Sequence, residues 1–396
     1  VNSTDAKANA SVREARQAPA VTPNEFEGSD VERINRAIEV AATAGKRVVI
    51  PRENLRGPTR SAVWLLDSAI LLQGNTTLDL ENCRIKLSDR CRDNMMRNVR
   101  RDGGITRNIH VRGVGTVVLE GADHPRATGD GGKTLGTQTY GTDAGVAGQS
   151  QKGDGRNFGI FLTAVEDFSL RSFTVKDSHC WAINLERCAN GALRDLGFAS
   201  TQFKMIDGVR QTILNQDGID LRMGCHDILI ESITGYTGDD LIALTGIPGA
   251  GRYAGERDDI HHVTIRGING RCSGGNHIVR VLNNRGVRIH DILIDGLTDT
   301  TPADARGTDF AWGPARAALK IGDTGYGGIA PLGDTFNVTV RKVTSRARYA
   351  ILIAGSLSES RISDVVQYGP TEPVTVASGP EWVRNVVITN ARNVPN

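Results

Sequence analysis

The chain reads as all-β: a single-stranded, right-handed parallel β-helix, closed at its N-terminal end by one helix. Three observations predict this. Short strands of alternating polarity recur along most of the sequence, led by turns rich in Asn, Asp or Gly. Their recurrence centres on about 24 residues, and a unit of that size buries its apolar face only by stacking on its neighbours. Glycine supplies 46 of 396 residues while aromatics make up only 5%, which suits many short strands joined by tight turns and disfavours a helical bundle.

Residues 1–27 are polar, rich in Ala and Pro and without a period, and are expected to form a loosely ordered arm ahead of one solenoid domain over 28–396. Ser29-Asp30-Val31-Glu32 has the form of a capping box, with Ser29 taking an orphan helix N–H and Glu32 reaching back to the cap. Val31, Ile34, Ile38 and Ala41 fall at helical spacing and Gly45 ends the run, which predicts a helix of about 15 residues. Such a helix plugs the end of a solenoid where strand edges would otherwise be open. Arg47-Val48-Val49-Ile50-Pro51 reads as the first strand.

From about residue 63 the repeat sets in. Its clearest copies are Asn108-Ile109-His110-Val111-Arg112-Gly113, Asp167-Phe168-Ser169-Leu170-Arg171-Ser172 and Asp227-Ile228-Leu229-Ile230-Glu231-Ser232. Further copies are His262-Val263-Thr264-Ile265-Arg266-Gly267, Gly286-Val287-Arg288-Ile289-His290-Asp291 and Asn337-Val338-Thr339-Val340-Arg341-Lys342. Positions 2 and 4 are apolar in each. Phe168 to Leu193 is 25 residues and Val263 to Val287 is 24; the 35 from Ile228 to Val263 fit one coil plus an insertion at 248–255, and the 51 from Val287 to Val338 fit two coils. A leucine-rich repeat would need a Leu ladder that is absent. A propeller would need blades of about 40 residues with antiparallel hairpins, and the Asn-Gly and Asp-Gly hairpin turns are scarce here.

Lys+Arg 47 against Asp+Glu 45 leaves a net charge of +2, so no bulk field draws nucleic acid or a membrane surface. No apolar run reaches the ~18 residues of a membrane helix. Six cysteines at 83, 91, 180, 188, 225 and 272 include no C-x-x-C pair, which argues against structural zinc; they read as small buried apolar residues, with one or two disulfides as the alternative. No signal peptide is visible at Val1.

One stretch carries chemistry: Asn215-Gln216-Asp217-Gly218-Ile219-Asp220, then Gly238-Asp239-Asp240-Leu241-Ile242-Ala243-Leu244. Asp217 and Asp239 are 22 residues apart, close to one coil. Stacked strands lie ~4.8 Å apart, so the two segments should sit side by side. Carboxylates gathered this closely cannot all ionise easily, and at least one pKa rises. That is what acid/base cleavage of an acetal needs: one carboxylic acid to protonate the leaving oxygen and one carboxylate to activate water. The bland readings are turn-forming Asp residues and a Ca²⁺ site.

Asn-x-Asp-Gly-Ile-Asp and Gly-Asp-Asp-x-Ile-Ala-Leu resemble the polygalacturonase family, glycoside hydrolase family 28, over roughly residues 29 to 370. Phe158-Gly159-Ile160-Phe161 and Val175-Lys176-Asp177-Ser178-His179-Cys180-Trp181 match the coils that precede the site in that family. The resemblance implies inverting hydrolysis of a poly- or oligosaccharide on a right-handed parallel β-helix, with Asp239 as general acid and Asp217 with Asp240 activating the water. It implies no metal, no cofactor, and a secreted or periplasmic location. His277, in Gly275-Asn276-His277-Ile278, stands for the family's Gly-His-Gly and would tune the acid or position water. The family's Arg-Ile-Lys aligns with Ala318-Leu319-Lys320, so the Lys is kept and the Arg is missing; Arg280 or Arg316 is the candidate substitute, and a neutral sugar becomes an option. Asn215, Asp220, Arg280, Lys320, Trp312 and His179 are the candidate substrate-binding residues.

Among other residues, Trp181 is a candidate sugar platform, and Arg222, Arg252 and Arg257 are candidate fork donors to an anionic chain. His110, His226, His261, His262 and His290 read as solvated turn or stacking positions. Loops at 122–155, 248–255 and 300–314 would narrow a cleft and favour attack at chain ends. The rival functions on the same fold are a polysaccharide lyase using Ca²⁺ with Lys320 or Arg280 as base, an intramolecular glycosyl (fructo)transferase, and a non-catalytic glycan-binding β-helix.

Overall fold

The computed structural model describes residues 20–395 except 58–59, 92, 101, 103, 125–126, 129–132, 135–157, 207, 247–257, 284–285, 306–312 and 326–327. The chain is a right-handed parallel β-helix. Its long-strand sheet runs from Ala20–Val21 and Arg47–Ile50 through ten further rungs to Val383–Val394, and its short-strand sheet runs from Ile70–Leu72 to Val374–Val376. Among the described residues the only antiparallel pairs are two small hairpins, Ala127–Thr128 with Lys133–Thr134 and Phe203–Ile206 with Val209–Thr212.

From Val165–Lys176 onward each long strand is bent twice by residues in the left-handed region, and Thr106–Val114 once, at Asn108. The first column of bends is Asn108, Asp167, Asn190, Asp227, His262, Asp291 and Asn337, with φ between 51° and 60°. The second is Ser172, Asp195, Ser232, Gly267, Gly296, Lys342, Asp364 and Asn390. Asn, Asp and Gly tolerate this conformation, which is why they lead the repeated units. Between the two bends, apolar side chains point inward and stack rung on rung: Val111, Leu170, Leu193, Ile230, Ile265, Ile294, Val340 and Ile362 form one register column, each no more than 1% exposed.

The register corrects three sequence alignments. The stretch expected to hold two coils between Val287 and Val338 is one coil, since Ile292 pairs directly with Val338. Phe168 pairs with Gly191, so Leu193 is the partner of Leu170. Val263 pairs with Ile292 and not with Val287; the true repeat unit begins at Asp291. Gly286 also has positive φ, and two turn-forming residues five positions apart compete in the sequence for one structural role. The 35-residue spacing from Ile228 to Val263 is the observed register.

The helix Asp30–Ala44 has the predicted capping box at Ser29 and Glu32 and ends at Gly45 with φ 63°. Its buried face of Val31, Ile34, Ala37, Ile38 and Ala41 closes the first rung. The loosely ordered arm expected over 1–27 is corrected at its end. Ala20–Val21 pairs in parallel with Arg47–Ile50, buried Val21 packs into the core, and Thr22 with Glu25 makes a second capping box; residues 1–19 lie outside the described residues. All six cysteines are buried, as small apolar residues would be, and Cys188 and Cys225 donate to the carbonyls of Leu162 and Leu185. Among the described residues no helix is long and apolar enough to cross a membrane.

Candidate active site

The site lies where the chain enters the short-strand sheet. Strands Ile183–Glu186, Ile219–Arg222, Ile242–Gly246, His277–Asn283 and Ala317–Ile321 stack in that order. Just ahead of them, the Gly218 N–H donates to the Asp240 carbonyl at 2.9 Å and the Leu241 N–H to the His277 carbonyl at 3.2 Å. The rung neighbours are therefore Asp217, Asp240 and His277. The one-coil spacing read from Asp217 to Asp239 was short by one residue, because the register joins Ile219 to Ile242. Asp239 sits beside this column and completes the cluster.

Two glycines let the rungs come this close. A Cβ at Gly218 would lie 2.4 Å from the Leu241 carbonyl oxygen, and one at Gly238 would meet Gln216 Oε1 at 2.6 Å and the Gln202 backbone at 2.8 Å. The Gly238 carbonyl accepts from Ser273 Oγ at 2.6 Å and from Asn276 Nδ2 at 3.3 Å, and the Asp239 carbonyl accepts from Thr237 Oγ1 at 2.6 Å. Buried Gln216 pins the preceding loop by donating to the Ser178 carbonyl and accepting from the Gln202 N–H, each at 2.7 Å.

Asp217, Asp239 and Asp240 each offer an oxygen within 4.8 Å of the other two. Their environments differ. Asp217 is buried, and burial, then the charges of Asp239, Asp220 and Asp240, pushes its carboxyl well above the usual range. Burial does the same to Asp220, with Arg222 opposing and Asp240 and Asp239 adding. For Asp240 burial also works against ionisation, but His277 and Arg280 outweigh it and hold the carboxyl below its ordinary value. Asp240 Oδ1 accepts from the His277 N–H at 2.7 Å and from His277 Nδ1 at 2.9 Å, and Oδ2 accepts from Arg280 Nη1 at 3.3 Å. Asp240 thereby holds His277 through both its backbone N–H and its Nδ1. Asp217 Oδ2, Asp220 Oδ2 and His277 Nε2 are among the buried atoms here without a hydrogen-bond partner among the described residues. Buried polar atoms left this way mark a place for a ligand or water.

Three clustered carboxylate oxygens are a donor set for a hard divalent cation. Here both Asp240 oxygens already serve His277 and Arg280, and the guanidinium adds positive charge where a cation would bind. The nearest-oxygen spacing, within 4.8 Å, is also tighter than the ~6.5–9.5 Å separation of carboxyl groups typical of inverting glycosidases.

Arg280 and Lys320 are register partners. Both donate to Asp323 Oδ2, Lys320 Nζ at 2.5 Å and Arg280 Nη2 at 2.9 Å. Burial opposes ionisation of Asp323, yet Lys320, the Gly325 N–H and Arg280 outweigh it and lower its pKa to about 2. Burial lowers the Lys320 pKa despite Asp323. Asp323 was missed in the sequence, as was Gln216; the one signal for Asp323 was its place three residues beyond Lys320.

Other expected positions fall differently. Asn215 stands two residues before Asp217 with φ 55°. His179 Nε2 accepts from the Ala122 N–H at 2.8 Å. Trp181 is buried, stacks on Phe158 with centroids 4.6 Å apart, and has the Arg222 guanidinium 4.8 Å from its ring centroid; its faces are spent on packing, so it offers no open sugar platform. Ala318 is wholly buried within the apolar core, so the missing Arg of the Arg-Ile-Lys pattern corresponds to an inward position. Arg316 is exposed. Trp312, Arg252, Arg257, the 248–255 insertion, most of the 122–155 loop and residues 306–312 of the 300–314 loop lie outside the described residues.

No protein-family model matches the chain, and no curated protein matches it in sequence. Solved structures do match. A polygalacturonase from Erwinia carotovora ssp. carotovora is 15% identical with a TM-score of 0.55, covering 96% of this chain and 97% of its own. An exopolygalacturonase from Thermotoga maritima is 17% identical with a TM-score of 0.58, covering 94% and 93%. The tailspike protein of E. coli bacteriophage HK620, as an E372Q mutant in complex with a pentasaccharide, is 14% identical with a TM-score of 0.55, covering 98% and 68%. At these identities the likeness establishes the right-handed parallel β-helix and nothing finer.

Proposed function

We propose that the chain is a glycoside hydrolase acting on a poly- or oligosaccharide, with the cluster of Asp217, Asp239, Asp240 and His277 as its acid/base machinery. The observation that carries this reading is the split within one cluster: Asp217 is driven towards its protonated form while Asp240 is held ionised. Cleaving an acetal needs both states in one pocket.

Asp217 is the carboxyl that burial and the charge of neighbouring Asp239 drive towards its protonated form. Asp239 is the more exposed of the two and delivers the proton to the leaving oxygen. On the other side, Asp240 fixes His277 through its N–H and Nδ1, and His277 is the group that takes the proton of the attacking water. This modifies the role that the polygalacturonase resemblance gives to Asp217 and keeps the one it gives to Asp239. The two solved polygalacturonase folds and the pentasaccharide-bound tailspike support a carbohydrate as partner, and a secreted or periplasmic setting accords with such a substrate.

A broad glycan screen comparing wild type with Asp239→Asn, with the product anomer read by NMR, tests the proposal. Hydrolysis by wild type and its loss in the variant support it; no turnover by wild type on any glycan refutes it. The lyase rival has one observation in its favour, the three oxygens within 4.8 Å. It predicts loss of activity with a chelator and products that absorb near the ultraviolet edge.

A further inference from the structure

Whatever sugar enters this site meets two buried cations that already have counter-ions. Arg280 reaches Asp240 Oδ2 at 3.3 Å and Asp323 Oδ2 at 2.9 Å, and Lys320 reaches the same Asp323 oxygen at 2.5 Å. The side chains of Arg280, Lys320 and Asp323 are only 15%, 7% and 11% exposed, so solvent screens these pairs weakly. A carboxylate on an incoming sugar would have to share both cations with Asp323. It would also approach the ionised Asp240 and the Asp217–Asp239 pair. An uncharged sugar meets neither cost.

We propose that Asp323 is a specificity-determining residue: with Asp240 it balances the charges of Arg280 and Lys320 in place, and so makes the site select an uncharged sugar over a uronate. The proposal rests on the sugar-cleaving reading of the same site and names its substrate class. Asp323 acts through the two cations and not on the reacting atoms. It is itself tied to the turn after the strand, its Oδ1 accepting from the Gly325 N–H at 2.8 Å, so the pairing is built into the backbone.

The test measures binding, by ligand-observed NMR at low ionic strength. The probes are galacturonate and its methyl ester, which differ in charge and contain no glycosidic bond to cleave. Wild type should bind the ester at least as well as the acid. Asp323→Asn keeps an acceptor for the Gly325 N–H but removes the charge that Lys320 and Arg280 share, leaving Arg280 with Asp240, and should raise affinity for galacturonate ~10-fold, a change of the size expected from unmasking a poorly solvated charge. Adding Lys320→Met to that variant should remove the gain. Wild type preferring galacturonate would overturn the inference, and so would a folded Asp323→Asn protein with no gain. Because the wild-type ratio needs no variant, a folding defect in Asp323→Asn does not rescue the inference. A chain that cleaves no glycan yet shows the gain would sink the hydrolase reading alone; one that cleaves glycans but prefers galacturonate would sink this inference alone.

Discussion

Stacking in register builds two titratable clusters on this solenoid, and they come out chemically opposite. On the long-strand sheet, His226, His261, His290 and Phe336 are successive register partners. Their rings stack with centroids 4.8, 5.1 and 4.7 Å apart and nearly parallel, beside a groove of about 420 Å³. His226 and His290 each place Nδ1 2.7 Å from the Asp that follows in sequence. Like groups sit in like surroundings and partly in water. The acidic cluster stacks Asp217, Asp240 and His277 by the same rung spacing. There the groups are buried, differ in kind and bond to one another, so their proton affinities separate. Register alone makes a ladder. Burial with unlike neighbours makes a site that can both give and take a proton.

The largest expected contrast is in turnover. Asp239→Asn should lower kcat ~10³-fold, within the ~10²–10⁴ range for removing a positioned proton donor. His261→Phe, which keeps the stack but removes its central imidazole, should leave kcat unchanged. Equal losses in the two variants would erase the distinction. Next, His277→Gln should cost ~10²-fold in kcat, the size expected for losing a positioned proton acceptor; an unchanged kcat would remove His277 from the machinery.

Stability against pH sharpens the comparison in both directions. The folded pKa of Asp217 is raised, so its contribution is fully favourable below its unfolded value near 3.8 and is lost as pH rises towards the folded value. Asp217→Asn should therefore raise the melting temperature at pH 7, with the difference vanishing below about pH 4. Asp240 is lowered: its contribution is present above the unfolded value and is lost as pH falls through the folded one. Asp240→Asn should lower the melting temperature at pH 7, and the deficit should shrink on acidification. The smallest effect belongs to the ladder. Burial, then His226, His290 and His262, lowers the pKa of His261, so the folded state resists protonation there and stability falls as pH drops below the unfolded value near 6.5. His261→Phe should flatten this fall slightly in thermal melts between pH 7 and 5; an unchanged slope would show that the ring stack does not disfavour the charged form.

The solenoid was legible because its two rules are local. A left-handed Asn, Asp or His opens a repeat and apolar residues follow at positions 2 and 4, as at Asn108, Asp227 and His262. Register was less legible where two residues suited the same bend, as with Gly286 and Asp291. In the site, one-coil spacing brought the two Asp segments together, and only the 23-residue offset between Ile219 and Ile242 shows that Asp240 is the rung neighbour of Asp217. Contacts that cross between elements left no periodic trace. His179 is engaged by the Ala122 N–H, Trp181 by Phe158 and Arg222, and Lys320 by Asp323 across a turn that no repeat encodes.

The measurement closest to the central claim is a pH titration of ¹³C-carboxyl-labelled aspartate by NMR, with resonances assigned through Asp217→Asn and Asp240→Asn. The account predicts that the Asp217 resonance titrates well above the ordinary carboxylate range and the Asp240 resonance below it. Two carboxyls titrating together at the ordinary value would contradict it.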